Sequence, residues 1–263
     1  MAGRLEGKVA IVTGAGSRGE GMGNGKAASI LFAREGAKVL CVDNVLDRAE
    51  ATAAQIAAEG GTASAFEADV TKQADCKAMV AAAVARYGKV DILHNNVGIP
   101  SSESLEQLTE EGWDEQMTVN VRSMAFAAQA AVPEMTKTGG GAILNISSIA
   151  GVRAYNARAT AYTVSKAAVI GLTLALAGQL GNRRIRVNCI APGQVFTPLV
   201  ARRLDEQGRQ VRATSGLIKD EGNAWDIGWA AVYLASDEAR WVTGQTLLVD
   251  AGLSITVPTI EYG

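Results

Sequence analysis

Apolar and polar positions divide the chain into short apolar runs and longer, alanine-rich segments. Six runs are typical of buried strands, because β-branched and other apolar residues occupy successive positions rather than every second one. These runs are residues 8–14, 37–43, 90–96, 141–148, 185–193 and 244–252. Helices are predicted between them at 27–34, 48–59, 73–87, 109–135, 161–180 and 226–235. Strands that alternate with helices predict an α/β fold, a doubly wound parallel β-sheet with helices on both faces.

The alternation continues along the chain without a break in composition. We therefore expect residues 1–263 to form a single domain, a length that one α/β domain can reach. The segment 198–222 is polar and has no strand pattern, so we predict that it is an excursion over the surface. Long excursions of this kind often act as lids over a substrate.

Composition narrows the class of protein. Hydrophobic residues make up 48% of the chain, charged residues make up 20%, and the formal net charge is −2. These values are typical of a globular protein with a large core, and no basic excess indicates a nucleic-acid partner. The apolar runs are short and interrupted, and the N-terminal segment lacks the apolar stretch of a signal peptide. We therefore expect a cytoplasmic location and no membrane partner.

Cysteine and histidine are scarce. Cys41, Cys76 and Cys189 are far apart and form no CxxC motif, so neither a disulfide framework nor a structural zinc site is predicted. His94 is the only histidine, which excludes a metal site built from several histidines. We expect no metal, and any acid–base chemistry must come from other residue types.

Six glycines lie in the segment TGAGSRGEGMGNGKA, residues 13–27, directly after the first predicted strand. A strand that runs through glycines into a helix lets backbone N–H groups and the helix N-terminus bind a pyrophosphate. The second strand ends at Asp43, where a carboxylate can hold a ribose 2′-hydroxyl. The usual spacing of about twenty residues back from Asp43 reaches Gly23. The helix is therefore expected to begin at Gly23, Asn24 and Gly25.

Gly14 is then expected to turn the chain out of the strand, and residues 16–21 become an inserted flap. Ser17 and Arg18 lie in this flap, and the sequence leaves open whether they fold over the adenosine or only lengthen the turn. The carboxylate of Asp43 would repel a 2′-phosphate, which favours NAD over NADP. Arg18 would argue for NADP if it reached that phosphate, so NADP stays as the alternative cofactor.

Further motifs follow in a fixed order: ADV at 68–70, NNVG at 95–98, VNV around Asn120, NISSIAG at 145–151, YTVSK at 162–166 and PGQVFTP at 192–198. With the glycine loop, this series resembles the classical short-chain dehydrogenase/reductase family over almost the whole chain. The resemblance implies a Rossmann-type catalytic domain that binds NAD or NADP.

The resemblance also implies roles for individual residues. Asp69 and Val70 would flank the adenine, Asn95 and Gly98 would line the adenosine side of the cofactor, and residues 195–197 would contact the nicotinamide amide. The expected cofactor-binding residues are Gly14, Ser17, Gly23, Asn24, Gly25, Asp43, Asp69, Val70, Asn95, Gly98, Tyr162, Lys166, Pro192, Val195 and Thr197.

Four residues match the family's catalytic tetrad: Asn120, Ser148, Tyr162 and Lys166. Ser148 is preferred over Ser147 because the family's serine is the second of such a pair. The chain departs from the family pattern in two loops. Gly14 and Gly23 are separated by five more residues than the pattern allows, and the stretch from Ser148 to Tyr162 is one residue longer. The exact phosphate contacts and the shape of that second loop are therefore open.

Tyr162 and Lys166 are four residues apart on a predicted helix, so both reach one side of it. A free phenol titrates at about 10, too high for an efficient base at neutral pH. An ammonium at about 4 Å, with an effective dielectric of about 20, is worth about 4 kcal/mol, enough for a shift of up to about three units. Tyr162 can then take the proton of an alcohol while hydride leaves for the nicotinamide. By resemblance, Ser148 would hold the substrate oxygen, and Asn120 would anchor a relay water.

The expected substrate is a small alcohol or ketone, contacted by Ser148, Tyr155 and Gln194. Arg153 or Arg158 would meet an anionic substrate, although charged loop residues are usually only solvated. The resemblance implies a homotetramer, and small apolar stretches at 125–131 and 167–176 are consistent with subunit contacts. The leading hypothesis is an NAD-dependent oxidoreductase for secondary alcohols. The alternatives are an NADP-dependent carbonyl or 3-oxoacyl reductase and a non-catalytic dinucleotide sensor.

Overall fold

A computed structural model describes residues 3–153, 158–201 and 204–256. Its strands are β1 (Val9–Thr13), β2 (Lys38–Asp43), β3 (Thr62–Glu67), β4 (Ile92–Asn95), β5 (Gly141–Ile146), β6 (Ile185–Pro192) and β7 (Thr246–Val249). They form one sheet in the order β3-β2-β1-β4-β5-β6-β7, and all neighbours in it are parallel. The predicted α/β class with a parallel sheet is confirmed.

Helices cover both faces of the sheet. In the described residues they are α1 (Asn24–Arg34), α2 (Leu46–Ala58), α3 (Gln73–Tyr87), α4 (Glu110–Met117), α5 (Ser123–Lys137), α6 (Thr160–Leu180), α7 (Pro198–Ala201), α8 (Glu206–Ala213) and α9 (Ala224–Ala235). One buried apolar cluster joins the sheet to α1, α2 and α9, and a second joins it to α3, α5 and α6. This is the doubly wound arrangement that the alternating pattern predicts.

The sequence pattern misses one strand, so the prediction of six strands is wrong by one. β3 lies at the edge of the sheet, and its central residues are only half-buried. Its sequence, TASAFE, contains alanine and serine where buried strands carry branched apolar residues. Alanine is a weak strand former, so nothing in this segment produces an apolar run.

The single helix predicted at 109–135 is interrupted. A π-helical segment, Thr118–Arg122, joins α4 to α5, and the N–H of Ser123 bonds to the carbonyl of Thr118. The hydroxyl of Ser123 donates to the Val119 carbonyl at 2.5 Å. A π-helical turn accommodates one extra residue and often marks a functional site. Asn120 lies in the middle of this turn.

The order of the strands places a crevice at one end of the sheet. β1 is bonded to β2 on one side and to β4 on the other. The chain leaves β1 through α1 on one face, whereas it leaves β4 toward α5 on the opposite face. Ligands of open α/β sheets bind at the carboxyl ends of strands where the connections diverge in this way.

The predicted excursion, 198–222, carries α7 and α8 in its described part. Arg209 on α8 holds this segment in place. Its guanidinium makes two hydrogen bonds to Glu221, at 2.8 and 2.7 Å, and lies 4.1 Å from the centre of the Phe196 ring. The segment therefore has its own helical structure beside the crevice.

Helix α6 is the longest of the described helices. With the 3₁₀ turn that follows it, the segment Thr160–Arg183 is long and apolar enough to cross a membrane by composition alone. One such helix is weak support for a membrane span, because the core helices of globular proteins pass the same test. Here α6 packs against β6.

Candidate active site

A cleft of about 800 Å³ lies at the carboxyl ends of the strands and reaches from the glycine loop to α6. Most of the sequence-predicted site residues line it. They are Gly14, Ser17, Gly23, Asn24, Gly25, Asp43, Asp69, Val70, Gly98, Ser148, Tyr162, Lys166, Pro192, Val195 and Thr197. Three predicted site residues are not among those that line the cleft: Asn95, Asn120 and Gln194. Tyr155 lies outside the described residues.

The glycine loop begins and ends as its spacing predicts. Gly14 has a φ of +63°, a left-handed conformation that turns the chain out of β1. Gly23 immediately precedes α1, and a Cβ on Gly25 would collide with the carbonyl oxygen of Gly14. The two ends of the loop therefore touch, and the first turn of α1 has backbone N–H groups that an anion can bind.

A polar atom at the start of α1 also fits a bound ligand. The Oδ1 of Asn24 is buried and has no hydrogen-bond partner among the described residues. Asn24 lines the cleft between the two glycines that flank it. A buried acceptor without a donor is unfavourable, and a ligand hydroxyl or a bound water would relieve it. The loop therefore fits the diphosphate portion of a dinucleotide.

The inserted flap does more than lengthen the turn. The backbone N–H of Gly16 donates to Oδ2 of Asp43 at 3.2 Å, which fixes the start of the flap to the end of β2. At the other end, a Cβ on Gly21 would lie 3.2 Å from Cγ of Pro198, the first residue of α7. The flap therefore spans from the strand end at Asp43 to the start of the excursion. Both Ser17 and Arg18 line the cleft.

Two acidic residues line the cleft, Asp43 and Asp69. Asp43 is 9% exposed, and its Oδ1 accepts a hydrogen bond from the Val45 N–H at 3.1 Å and lies 3.9 Å from Nη1 of Arg48. Asp69 accepts hydrogen bonds from the hydroxyl and the N–H of Thr71, which hold the pKa of its carboxyl below its usual range. Each carboxylate oxygen can accept more than one hydrogen bond, so both residues can still accept from a ligand.

Tyr162 and Lys166 meet on α6 as predicted. The ammonium of Lys166 lies 5.7 Å from the centre of the Tyr162 ring. Lys166 is 4% exposed, and its Nζ donates to the carbonyl of Ile146, the last residue of β5, at 3.1 Å. Burial lowers the pKa of Lys166 to about 8. A buried lysine beside a phenol is an arrangement that supports proton transfer near neutral pH.

The two adjacent serines after β5 have different surroundings. The hydroxyl of Ser147 is buried and donates to the backbone carbonyl of Lys166 at 2.7 Å. The hydroxyl of Ser148 accepts from the N–H of Ala150 at 3.2 Å, and this side chain is half-buried on the wall of the cleft. Ser148 can donate to a substrate oxygen, whereas the proton of Ser147 is already engaged.

Asn120 is fully buried behind the cleft in the π-helical turn. Its carboxamide bonds to both backbone groups of Ile99: Oδ1 accepts from the N–H at 2.8 Å, and Nδ2 donates to the carbonyl at 3.0 Å. Asn120 therefore holds the loop after β4 rather than facing the cleft with its side chain. Gly98 separates it from Lys166.

Two other predicted contacts are placed away from the cleft. Asn95 is buried and donates from Nδ2 to Oδ1 of Asn145 at 2.9 Å, so its side chain bonds within the sheet. Gln194 lines a second cavity, of about 310 Å³, where its Oε1 accepts from the hydroxyl of Ser215 at 2.7 Å. Arg212 and Val195 line both cavities, so the second cavity adjoins the cleft at these residues.

Other residues that line the cleft are not predicted by the sequence motifs. Asn96 lines it and donates from Nδ2 to the carbonyl of Gly14 at 3.0 Å, which braces the glycine loop. The sequence could have indicated this role, because successive side chains at the end of a strand point to opposite faces, and Asn95 and Asn96 therefore point in opposite directions. The excursion contributes apolar residues that no motif identifies: Leu199, Val200 and Leu204.

Comparisons with known proteins agree with this geometry. The family model described as Enoyl-(Acyl carrier protein) reductase matches residues 19–254. The 3-oxoacyl-[acyl-carrier-protein] reductase FabG of Thermotoga maritima is 37% identical, over 96% of this chain and 100% of that protein. The 7alpha-hydroxysteroid dehydrogenase of Bacteroides fragilis is 34% identical, over 98% of each chain.

A solved structure shares the fold over nearly the full length. It is a 7alpha-hydroxysteroid dehydrogenase complexed with NADH and 7-oxo glycochenodeoxycholic acid. Its TM-score to this chain is 0.89, its sequence is 37% identical, and the match covers 95% of each chain.

Proposed function

Because the chain belongs to the classical short-chain dehydrogenase/reductase family of oxidoreductases, we propose that it interconverts a secondary alcohol and its ketone with NAD as cofactor. The observation that carries the proposal is the buried Lys166 ammonium beside the Tyr162 ring, on the wall of a cleft that also holds a glycine loop. Members of this family use NAD or NADP, and the choice between them is part of the proposal.

The chemistry requires the protein to move one proton at the substrate oxygen. When bound, the nicotinamide of NAD supplies a hydride acceptor. Tyr162 takes the hydroxyl proton of the alcohol, and the positive charge of Lys166 favours the phenolate that Tyr162 must form to do so. Ser148 donates a hydrogen bond to the same oxygen and orients it toward Tyr162.

Lys166 and Asn120 support this transfer from behind. Burial lowers the pKa of Lys166 to about 8, so the amine is still mostly protonated at neutral pH. It is also suited to bind a ribose hydroxyl, because an ammonium has three donor hydrogens and the Ile146 carbonyl takes one of them. The side chain of Asn120 is already bonded to Ile99, so the relay water that we assign to this residue would be anchored by its backbone, in a turn where the regular helical bonding is interrupted.

The preference for NAD is supported by Asp43. This carboxylate ends β2 beside the cleft, and the Gly16 N–H of the flap holds it in place. A 2′-phosphate at this point would meet a negative charge in a partly buried position, whereas a 2′-hydroxyl would donate to it. The similarity to the Thermotoga maritima 3-oxoacyl reductase favours the second candidate, an NADP-dependent reductase of 3-oxo compounds.

We further propose that the protein is a homotetramer. Val164 and Leu174 are 38% and 57% exposed on α6, although both are apolar. Exposed small residues continue the same surface of the helix at Ala167, Gly171 and Gly178. Apolar Leu247 and Leu248 are exposed on the edge strand β7. Exposed apolar surface of this kind is typical of subunit contacts.

The function is tested by incubating the purified protein with a panel of secondary alcohols and either NAD or NADP, and following the absorbance of the reduced nicotinamide. We expect turnover with NAD at a higher kcat/KM than with NADP. Tyr162→Phe should remove turnover and leave binding of NADH, measured by its fluorescence, close to wild type. Full activity of Tyr162→Phe would refute the assigned role, and a clear NADP preference would favour the second candidate.

A further inference from the structure

The carboxamide nitrogen of Asn120 has more acceptors than it has hydrogens. Its Nδ2 lies 3.0 Å from the Ile99 carbonyl, 2.9 Å from Oε1 of Gln116 and 3.0 Å from Oγ of Ser165. An amide NH₂ group has two hydrogens. Two of the three oxygens must therefore share one of them.

The pattern of contacts identifies which two share. Ile99 bonds to the amide through both its N–H and its carbonyl, so it occupies the edge that carries Oδ1 and the neighbouring hydrogen. The remaining hydrogen is left for Gln116 and Ser165. Both residues are buried, with 3% and 0% of their surface exposed. Water is therefore not a substitute acceptor for this hydrogen.

The shared hydrogen connects two elements that carry the proton-transfer groups. Gln116 lies one turn before Asn120, in the last part of α4. Ser165 lies on α6 directly before Lys166, and its hydroxyl donates to the backbone carbonyl of Tyr162 at 2.8 Å. The amide of Asn120 is thus linked to the turn of α6 that places Tyr162 and Lys166.

The orientation of this amide affects the surroundings of Lys166. A Cβ on Gly98 would lie 3.0 Å from Nζ of Lys166 and 3.3 Å from Oδ1 of Asn120, so both polar atoms pack against the same glycine. If the amide rotates, Oδ1 leaves the Ile99 N–H, and the Gly98–Ile99 segment loses the bond that holds it against Lys166. The electrostatic environment of the ammonium then changes.

We propose that Gln116 and Ser165 are a redundant pair of positioning residues that fix the Asn120 amide, and through it the proton-transfer centre. This inference rests on the proposed oxidoreductase function. Neither residue lines the cleft, so neither contacts substrate or cofactor there. When one is removed, the other still accepts the hydrogen. When both are removed, a buried N–H is left without an acceptor, and the amide reorients.

The test is a double-mutant cycle of Gln116→Leu and Ser165→Ala, read as kcat, KM for NAD and the pH dependence of kcat. Each single variant should keep kcat within about threefold of wild type, because one acceptor remains. The double variant should lose about tenfold or more beyond the product of the single effects, as expected for an unsatisfied buried N–H. Its pH profile should also shift, whereas KM for NAD should change little.

Two further variants separate positioning from general damage. Gln116→Glu combined with Ser165→Ala restores an oxygen acceptor at position 116 and should recover most of the lost kcat. Gln55→Leu makes the same side-chain change at a half-buried position on α2, away from the cleft, and should leave the pH profile unchanged. If the double variant does not fold, Gln116→Leu with Ser165→Cys replaces it, because a thiol is a weak acceptor of similar size.

The possible results distinguish failure of this inference from failure of the proposed function. A kcat loss in the folded double variant equal to the product of the single losses, with an unshifted pH profile, would overturn the inference while the enzyme function stands. Failure of Gln116→Glu to restore kcat would overturn it as well. Absence of turnover in the wild-type protein with every alcohol and both cofactors would overturn the proposed function and this inference together.

Discussion

His94 provides a quantitative prediction about acid stability. It is fully buried on β4, and its ring packs edge-on against Phe32 with the ring centres 5.8 Å apart. Neither ring nitrogen has a hydrogen-bond partner among the described residues. Burial therefore favours the neutral imidazole and lowers the pKa of His94 from 6.5 to about 4. The perturbation is His94→Leu, which replaces the ring by an apolar side chain of similar volume.

The direction of the pH effect follows from proton counting. Between the two pKa values the unfolded chain binds a proton at this site and the folded chain does not, so acidification stabilises the unfolded state. The contribution of a neutral His94 is fully present above about pH 6.5 and is lost as the pH falls toward 4. The pKa of His94 is 6.5 in the unfolded chain and about 4 in the folded one. This difference corresponds to about 3 kcal/mol of unfolding free energy over the full pH range, and to about 2 kcal/mol between pH 8 and pH 5.

Urea unfolding of both proteins at pH 8 and pH 5, at equal protein concentration, measures this contribution. Other titrating groups act on both proteins alike, so they cancel in the comparison. The wild type should lose about 2 kcal/mol more than His94→Leu on acidification. The variant should also match or exceed the wild type at pH 8, because it removes an unpaired buried N–H. Equal acid losses in the two proteins would refute the reasoning.

Two other substitutions test the cofactor loop and the assembly. Gly25→Ala should weaken NADH binding by about tenfold or more, since its Cβ would collide with the Gly14 carbonyl and separate the two ends of the loop. Retained affinity in a fluorescence titration would count against that reading. Leu174→Glu places a charge on the exposed apolar face of α6 and should reduce the sedimentation coefficient of the proposed tetramer. Exposed Leu105→Glu is the matched control, and an unchanged assembly in Leu174→Glu would exclude this face as a contact.

Much of the fold could be predicted from the sequence because its buried strands are apolar throughout. Nearly every residue of β1, β2 and β5 is buried. Each of these strands therefore gives a continuous apolar run that can be recognised in the sequence alone. β3 could not be found in this way, because an edge strand of alanine and serine acquires its conformation from pairing with β2. The π-helical turn is equally hidden, because it is defined by its backbone hydrogen bonds and not by a particular residue type.

At the candidate site, the sequence pattern cannot always tell which of two identical adjacent residues lines the cleft. Two such pairs lie at strand ends. Ser147 and Ser148 follow β5, and the family pattern selects Ser148, the one that lies half-buried on the cleft wall. Asn95 is the last residue of β4 and Asn96 follows it, and there the pattern selects Asn95, whose side chain is buried within the sheet.

The register of the sheet explains the second outcome. β4 and β5 pair Asn95 with Asn145, so the two carboxamides lie side by side and bond to one another. Because successive side chains of a strand point to opposite faces, Asn96 is then free to brace the glycine loop from the cleft. The sequence identifies the motif, but only the partner strand decides which member of it faces the cleft. The same rule predicts that Asn96→Ala weakens cofactor binding more than Asn95→Ala does at equal stability, which paired NADH titrations of the two variants would check.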